Sequence, residues 1–328
     1  MERASLYPVR FEPVYKDYLW GGTRIAEIYG RPETPTPCAE SWEVSDRNDG
    51  MSIVADGPLR GRSLRELIEA NPRAWLGADA TAGRFPLLVK LIDARDRLSV
   101  QVHPDERAAA EIPGAEPKTE AWVFLGDRPA EIHAGLLPGT TPERLADAVR
   151  DGTCERLLRR REVHPGDVAF VPAGRLHAIG AGCLLLEVQQ NSNTTYRLYD
   201  WHRVGPDGHP RELHVERALR AIRFDDDAPP PPPPKRLEKT AAFLRERLLE
   251  CPYFRIDRIA LTGRFETRLD GRAFHILFVA EGNATLRWPE GETSLSAGST
   301  RLVPAALPSY ALDGRAEILR IEPTEPDA

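Results

Sequence analysis

PGDVAFVPAGRLHAI, residues 165–179, is the stretch from which the fold can be read. A glycine turn is followed by a short apolar run, then by Pro172-Ala173-Gly174 and a histidine, His177. Glycine and proline fix the turns on either side, and the alternating run between them reads as a strand. A diverged copy, AGSTRLVPAALPSYA, occupies 297–311. At an offset of 132 residues Gly166 meets Gly298, Val171 meets Val303, Pro172 meets Pro304 and Ala173 meets Ala305, while His177 falls on Ser309. Upstream, Phe124-Leu125 can be set against Phe278-Val279, an offset of 154, and the 22-residue difference is close to the helical-looking segment Thr141–Arg161. The two halves therefore read as one β-unit used twice, with a helix inserted in the first copy.

A glycine turn, a strand, then a proline and a small loop carrying a histidine has the shape of a cupin motif. The expected fold is mainly β: two cupin (jelly-roll-type) β-barrel domains with a few helices, including a short helical insert near 141–161. Residues 1–225 are expected to form a catalytic, metal-binding cupin domain. Residues 226–250 are expected to be a proline-rich linker and helix, and 251–328 a second, metal-free cupin. The linker centres on six consecutive prolines, Pro229–Pro234, which favour stiff polyproline II. Leu237, Ala241, Leu244 and Leu248 then keep helical spacing, as do Leu213, Leu219 and Ile222 before the prolines. Ser63 with Glu66 is a capping box, and Thr141-Pro142 a cap followed by proline at the first helical position.

Composition agrees with this outline. Thirty of the 328 residues are proline, well above the usual ~5%, which disfavours a mostly helical chain. Forty-four basic against 50 acidic residues leave a net charge of −6, which argues against nucleic acid or an anionic membrane as the main partner. Four scattered cysteines form no CxxC pair, so no disulfide scaffold is expected. The opening MERASLYPVRFEPVYKD lacks the apolar core of a signal peptide, and no apolar run approaches the ~18 residues of a membrane span. These features suit a reduced, cytoplasmic protein.

Several short strands carry chemistry. In LSVQVHP (98–104) alternation puts Leu98, Val100 and Val102 on one face and Ser99, Gln101 and His103 on the other. In KTEAWVFL (118–125) Lys118, Glu120, Trp122 and Phe124 share a face. In LLLEVQQNSNTTYRLYDW (184–201) Glu187 and Gln189 share a face, and Thr195, Arg197 and Tyr199 do so if the strand persists. Each pattern alone equally fits a solvated strand or a surface ion pair. Together, Gln101, His103, Glu120 and His177 offer two oxygens and two imidazole nitrogens to a divalent cation, with Zn²⁺ the best match and Mn²⁺, Fe²⁺ or Co²⁺ open. His133, His164, His202, His209, His214 and His275 read as loop or lone histidines.

At this point the sequence closely resembles the type I phosphomannose isomerases in their short bacterial form. The resemblance rests on LWGG (19–22), AESWEVSDR (39–47), FPLLVKLIDARDRLSVQVHPDE (85–106), KTEAWVFL (118–125) and FVPAGRLHAIGAGCLLLEVQQNSNTTYRLYDW (170–201). These run in order through about the first 200 residues; beyond 225 only the general character matches. The resemblance implies a cupin fold and one divalent metal ion, usually zinc, on Gln101, His103, Glu120 and His177. It implies interconversion of mannose 6-phosphate and fructose 6-phosphate, with a small-molecule sugar phosphate as partner, no nucleic acid and no membrane, and the oligomeric state left open. The catalytic arginine falls on Arg197, and other pocket positions on Trp20, Glu40, Lys90, Ser99, Lys118 and Glu187. Trp20 is expected to wall the sugar, and Lys90, Lys118 and Ser99 to hold the phosphate. The proton-transferring base is left open between a hydroxide on the metal, Glu187 and Glu40. Asn193 departs from the family, which commonly carries aspartate there. A non-catalytic sugar-binding or regulatory cupin, or an isomerase of a different sugar, remains as the alternative.

Overall fold

The computed structural model describes residues 6–324, apart from 32, 79, 81–82, 206–207 and 228. The chain divides into two compact units. One comprises residues 15–41 and 89–231; the other comprises 1–14, 42–88 and 232–328. The chain passes from the first to the second within the exposed proline run, between Pro231 and Pro232.

The first unit is built on two sheets. Six strands run in the order Val168–Val171, Glu120–Phe124, Leu184–Gln190, Leu87–Asp93, Glu40–Val44, Val14–Lys16. Five more run Tyr196–Tyr199, Val100–Val102, His177–Ile179, Ala130–Leu136, Leu158–Val163. Ile92, Trp122, Phe124, Val171 and Leu185 of the first pack against Leu98, Ile132, Val163 and Ile179 of the second. Each such side chain contributes roughly 1.5–3 kcal/mol on burial, which offsets the desolvation of polar groups on the same inner faces. The outer face of the five-stranded sheet is covered by the helices Glu106–Glu111, Pro142–Arg150 and Val215–Ala221 through Val100, Val102, Leu145, Leu198 and Ala218. Neither sheet closes on itself, so the jelly roll is a sandwich and not the expected barrel.

In the second unit the same layout is carried by two long strands, His275–Trp288 and Ser309–Pro323. Each serves two neighbourhoods. The start of His275–Trp288 pairs with Thr300–Val303 and its end with Gly291–Ser296; Ser309–Pro323 pairs first with Arg264–Arg268 and then with Phe254–Leu261. Gly282 (φ +76°) and Gly314 (φ +153°) sit where these strands bend past each other. A Cβ at Gly282 would lie 2.2 Å from the Arg315 carbonyl oxygen, which only glycine avoids.

The internal repeat is structural. Val168–Val171 and Thr300–Val303 begin and end 132 residues apart, and His177 and Ser309 each open a strand. Gly166 and Gly298 share φ angles of +84° and +81°. The upstream register is one residue longer than the sequence match: Val168 pairs with Val123 and Thr300 with Phe278, an offset of 155 and not 154.

Other expectations are corrected. Residues 235–250 form the strands Lys235–Lys239 and Phe243–Glu250, not a helix. Of the residues at helical spacing only Leu248 is buried, while Leu237 and Ala241 are exposed, so the spacing marks no apolar stripe; a bulge between Arg247 and Leu249 buries Leu248 and Leu249 together. The insert near 141–161 is helical only through Pro142–Arg150 and a 3₁₀ turn at Cys154–Leu157, before a strand takes over at Leu158. The helix before the prolines starts at Val215, leaving Leu213 exposed. The segments 1–14 and 42–88 do not cluster with the rest of 1–225 but with the C-terminal residues. Val9 bridges Leu302, Thr300 Oγ1 donates to Glu43 at 2.8 Å, and Phe85 stacks on Phe274 at 4.5 Å.

Helix caps fall where the sequence puts them. Ser63 Oγ accepts from Glu66 N, and Ser63 N donates to Glu66 Oε2 at 2.7 Å. Ser63→Ala is expected to lower unfolding free energy by about 1 kcal/mol, read by denaturant melts; an unchanged midpoint would show the box contributes nothing.

Candidate active site

All the sequence-derived site residues come together in the first unit. A cavity of about 290 Å³ is lined by Trp20, Glu40, Lys90, Ser99, Gln101, Lys118, Glu187 and Arg197. His103, Glu120 and His177 are buried and adjoin it through Gln101 and Lys118. Strand register produces this convergence. Across three neighbouring strands Arg197 pairs with Gln101, and Gln101 with His177. On the facing sheet Glu120 pairs with Gln189, and Trp122 with Glu187.

His103, Glu120 and His177 each offer a ligand atom within 4.8 Å of the others. His103 Nδ1 lies 2.8 Å from the Thr194 carbonyl oxygen and His177 Nδ1 2.8 Å from that of Arg175. A carbonyl only accepts, so each Nδ1 carries the proton and each Nε2 presents a lone pair to the centre. Burial pushes the His103 pKa down to about 4 and that of His177 below its ordinary value, so both rings are neutral. Burial would raise Glu120, but Lys118, with Nζ 2.8 Å from Oε2, holds the carboxylate ionised. Gln101 adjoins the set, its amide 3.3 Å from His177 Nε2; its nitrogen and oxygen ends are interchangeable by rotation. His103 Nε2 and Glu120 Oε1 are buried without a hydrogen bond. Such orphans are costly, and a divalent cation satisfies all of them, so the residues fit a metal.

The rest of the cavity is charged. Lys90, nearly fully buried, lies 3.3 Å from Glu187 and 3.5 Å from Glu40. Burial alone would lower its pKa, but Glu40, Glu187 and Glu120 raise it. Trp122 Nε1 donates to Glu187 Oε2 at 3.0 Å, while Glu187 Oε1 is buried without a hydrogen bond. Arg197 donates from Nη1 to the Glu212 carbonyl at 2.7 Å, and its backbone N–H donates to His214 Nδ1.

Two alternation patterns shift. Leu98 joins the inner core and the cavity lining instead of the face shared by Val100 and Val102, because regular pairing starts only at Val100. A bulge between Arg197 and Tyr199 turns Tyr199 into the outer core, so only Thr195 and Arg197 face the cavity. Of the loop or lone histidines, His133 lies on the strand Ala130–Leu136 and His275 opens the strand His275–Trp288. Sequence reasoning missed Arg211 and Tyr18, which also line the cavity, and Asn193 lines it as well. Arg211 is held by Asp200 at 2.6 and 2.8 Å, a pairing across a loop that no local pattern announces.

The family model "Phosphomannose isomerase type I, catalytic domain" matches residues 9–122, and "Mannose-6-phosphate isomerase, cupin domain" matches 245–323. The mannose-6-phosphate isomerase ManA of Bacillus subtilis is 37% identical over 95% of this chain and 98% of its own length. A crystal structure of the Bacillus subtilis mannose 6-phosphate isomerase superposes with a TM-score of 0.87 at 32% identity, covering 96% of this chain and 99% of the other. A mannose 6-phosphate isomerase solved with zinc and yttrium shares the fold at a TM-score of 0.73 and 21% identity, covering 97% of this chain and 100% of the other.

Proposed function

The chain belongs to the type I phosphomannose isomerase family, and we propose that the pocket between Arg197 and Glu187 is where it interconverts mannose 6-phosphate and fructose 6-phosphate through a cis-enediol. The observation that carries this reading is the set of buried, unsatisfied donors beside a cavity that also presents guanidinium and carboxylate groups. Gln101, His103, Glu120 and His177 would hold one divalent ion, zinc by the nature of the donors, which supplies a Lewis acid to the substrate oxygens.

The chain's own groups do the rest. Glu187 Oε1 is the base: Trp122 fixes the other oxygen, and Oε1 takes the proton from C2 and returns it to C1. Arg197, in register with Gln101, faces the negative charge that builds on the enediol oxygens. Ser99, Lys118 and Arg211 bind the phosphate, and Trp20 walls the sugar. Lys90 is enclosed by Glu40 and Glu187, so it acts by holding these two carboxylates in place and not by touching phosphate. Glu40, tied to Lys90, is a partner of the base and not the base itself. Asn193 offers the pocket an amide. The chemistry lies in the unit of residues 15–41 and 89–231, and the second cupin, with Ser309 in place of His177, is metal-free. Among the described residues no helix is long and apolar enough to cross a membrane, and four buried free thiols suit a reducing cytoplasm.

A coupled assay of mannose 6-phosphate turnover tests the reading, run before and after chelation with single metals added back. Activity should vanish on chelation and return best with zinc, and Glu187→Gln should retain metal while losing turnover by about 10²–10⁴-fold. Chelator-insensitive turnover would remove the metal, and an active Glu187→Gln enzyme would remove the base.

A further inference from the structure

A second cavity, about 800 Å³ and larger than the one just described, lies within the second unit. It is of the size of small-molecule sites, about 300–1,000 Å³, and it uses no residue of the candidate active site.

The repeat shows what it corresponds to. Thr300 pairs with Phe278 as Val168 pairs with Val123, so His275 stands where Glu120 stands. Arg268 pairs with Ser309 as Gln101 pairs with His177. Arg320 pairs with Leu277 as Glu187 pairs with Trp122. The donors that suit a cation are thus replaced, position by position, by Arg268, His275 and Ser309. The neighbouring ion row is inverted as well. In the first unit the Lys90 ammonium is flanked by the carboxylates of Glu40 and Glu187. In the second the Asp257 carboxylate is flanked by the guanidiniums of Arg245 at 2.7 Å and Arg320 at 2.9 Å.

The balance of charge inside is positive: five arginines line the cavity against three acids. Of those acids, Glu322 is held by Arg255 and by Arg320 at 2.7 Å, and Glu250 by Arg247. Asp270 lies 3.8 Å from Arg272. Burial, with help from Arg320, pushes His275 down to about 3, so the ring is neutral; its Nδ1 lies 3.0 Å from the Tyr310 hydroxyl. Two cationic groups keep donors in reserve. Arg268 is exposed and enters no ion pair among the described residues. Arg320 is only 3% exposed, and its Nε is buried without a hydrogen-bond partner. An unsatisfied guanidinium nitrogen in such a cavity calls for an acceptor, and tetrahedral oxyanions match the guanidinium fork.

We propose that the second cupin is an anion site that takes a small ligand bearing a phosphoryl group, with Arg268 and Arg320 as its principal donors. The copy that lost its metal ligands kept the pocket and reversed its polarity.

Isothermal titration of the full-length, metal-loaded protein with inorganic phosphate and, separately, glycerol 3-phosphate tests this. The titrations are run in an Arg211→Ala background to weaken the phosphate contacts of the catalytic pocket. Binding should persist in Arg211→Ala and weaken by at least about tenfold on adding Arg268→Glu, the loss of one charge-assisted contact. Arg272→Glu, also at an exposed position, should weaken it in the same direction. Thermal melts confirm that each variant is folded. Binding of the ester alone would mean that the organic part is read too, and binding of both that the phosphoryl group suffices. No binding of either probe in Arg211→Ala, or an affinity indifferent to Arg268→Glu, would overturn the proposal.

Discussion

His177→Ala is expected to leave the purified protein depleted of metal and to reduce mannose 6-phosphate turnover by roughly 10³-fold. His177 Nε2 is one of two imidazole donors, and its Nδ1 is anchored on the Arg175 carbonyl, so no other side chain can swing in to replace it. A metal site contributes several kcal/mol of charge stabilisation, and each 1.36 kcal/mol is tenfold in rate. The fold should survive, because the strand His177–Ile179 keeps its backbone pairing with Ala130–Leu136 whatever side chain stands at 177. Metal analysis, a thermal melt and the coupled assay on one preparation separate the effects. Full metal occupancy with normal turnover in this variant would disprove the ligand assignment.

Arg197→Ala should have the opposite signature, with metal retained and kcat down by about 10²–10³-fold, the usual effect of removing one preorganised donor. Among the described residues its guanidinium donates to the Glu212 carbonyl and not to His103, Glu120 or His177, so neither the centre nor the fold depends on it. Arg197→Lys should recover part of the loss, since an ammonium restores charge but not the planar fork. A near-normal kcat in Arg197→Ala would remove this residue from the chemistry.

The site was legible because its donors alternate along short strands with strong neighbours. Gln101 and His103 flank Val102, Glu120 precedes Trp122, and His177 follows the Pro172–Gly174 turn. The repeat was legible because glycine and proline mark the same turns in both copies. What escaped depends on partners distant in sequence. The Phe243–Glu250 strand is rich in arginine and glutamate, and its charges make sense only against Asp257 and Arg258 on the next strand. His275 reads as a lone histidine until Tyr310 and Glu322 are brought to it. Arg211 needs Asp200 across a loop. The enclosure of Lys90 by two carboxylates from other strands escaped for the same reason.

The interleaving of the two units along the chain bears on how the protein is made. A nascent chain emerges from its N-terminus, and domains generally fold as units during synthesis. Residues 15–41 and 89–231 are all available once Pro231 has left the ribosome, so the metal-binding unit can be completed first. Residues 1–14 and 42–88 must wait for partners as late as Thr300–Val303. A chain cut short before that strand would therefore strand its own beginning, leaving Val9 and Glu43 without Leu302 and Thr300.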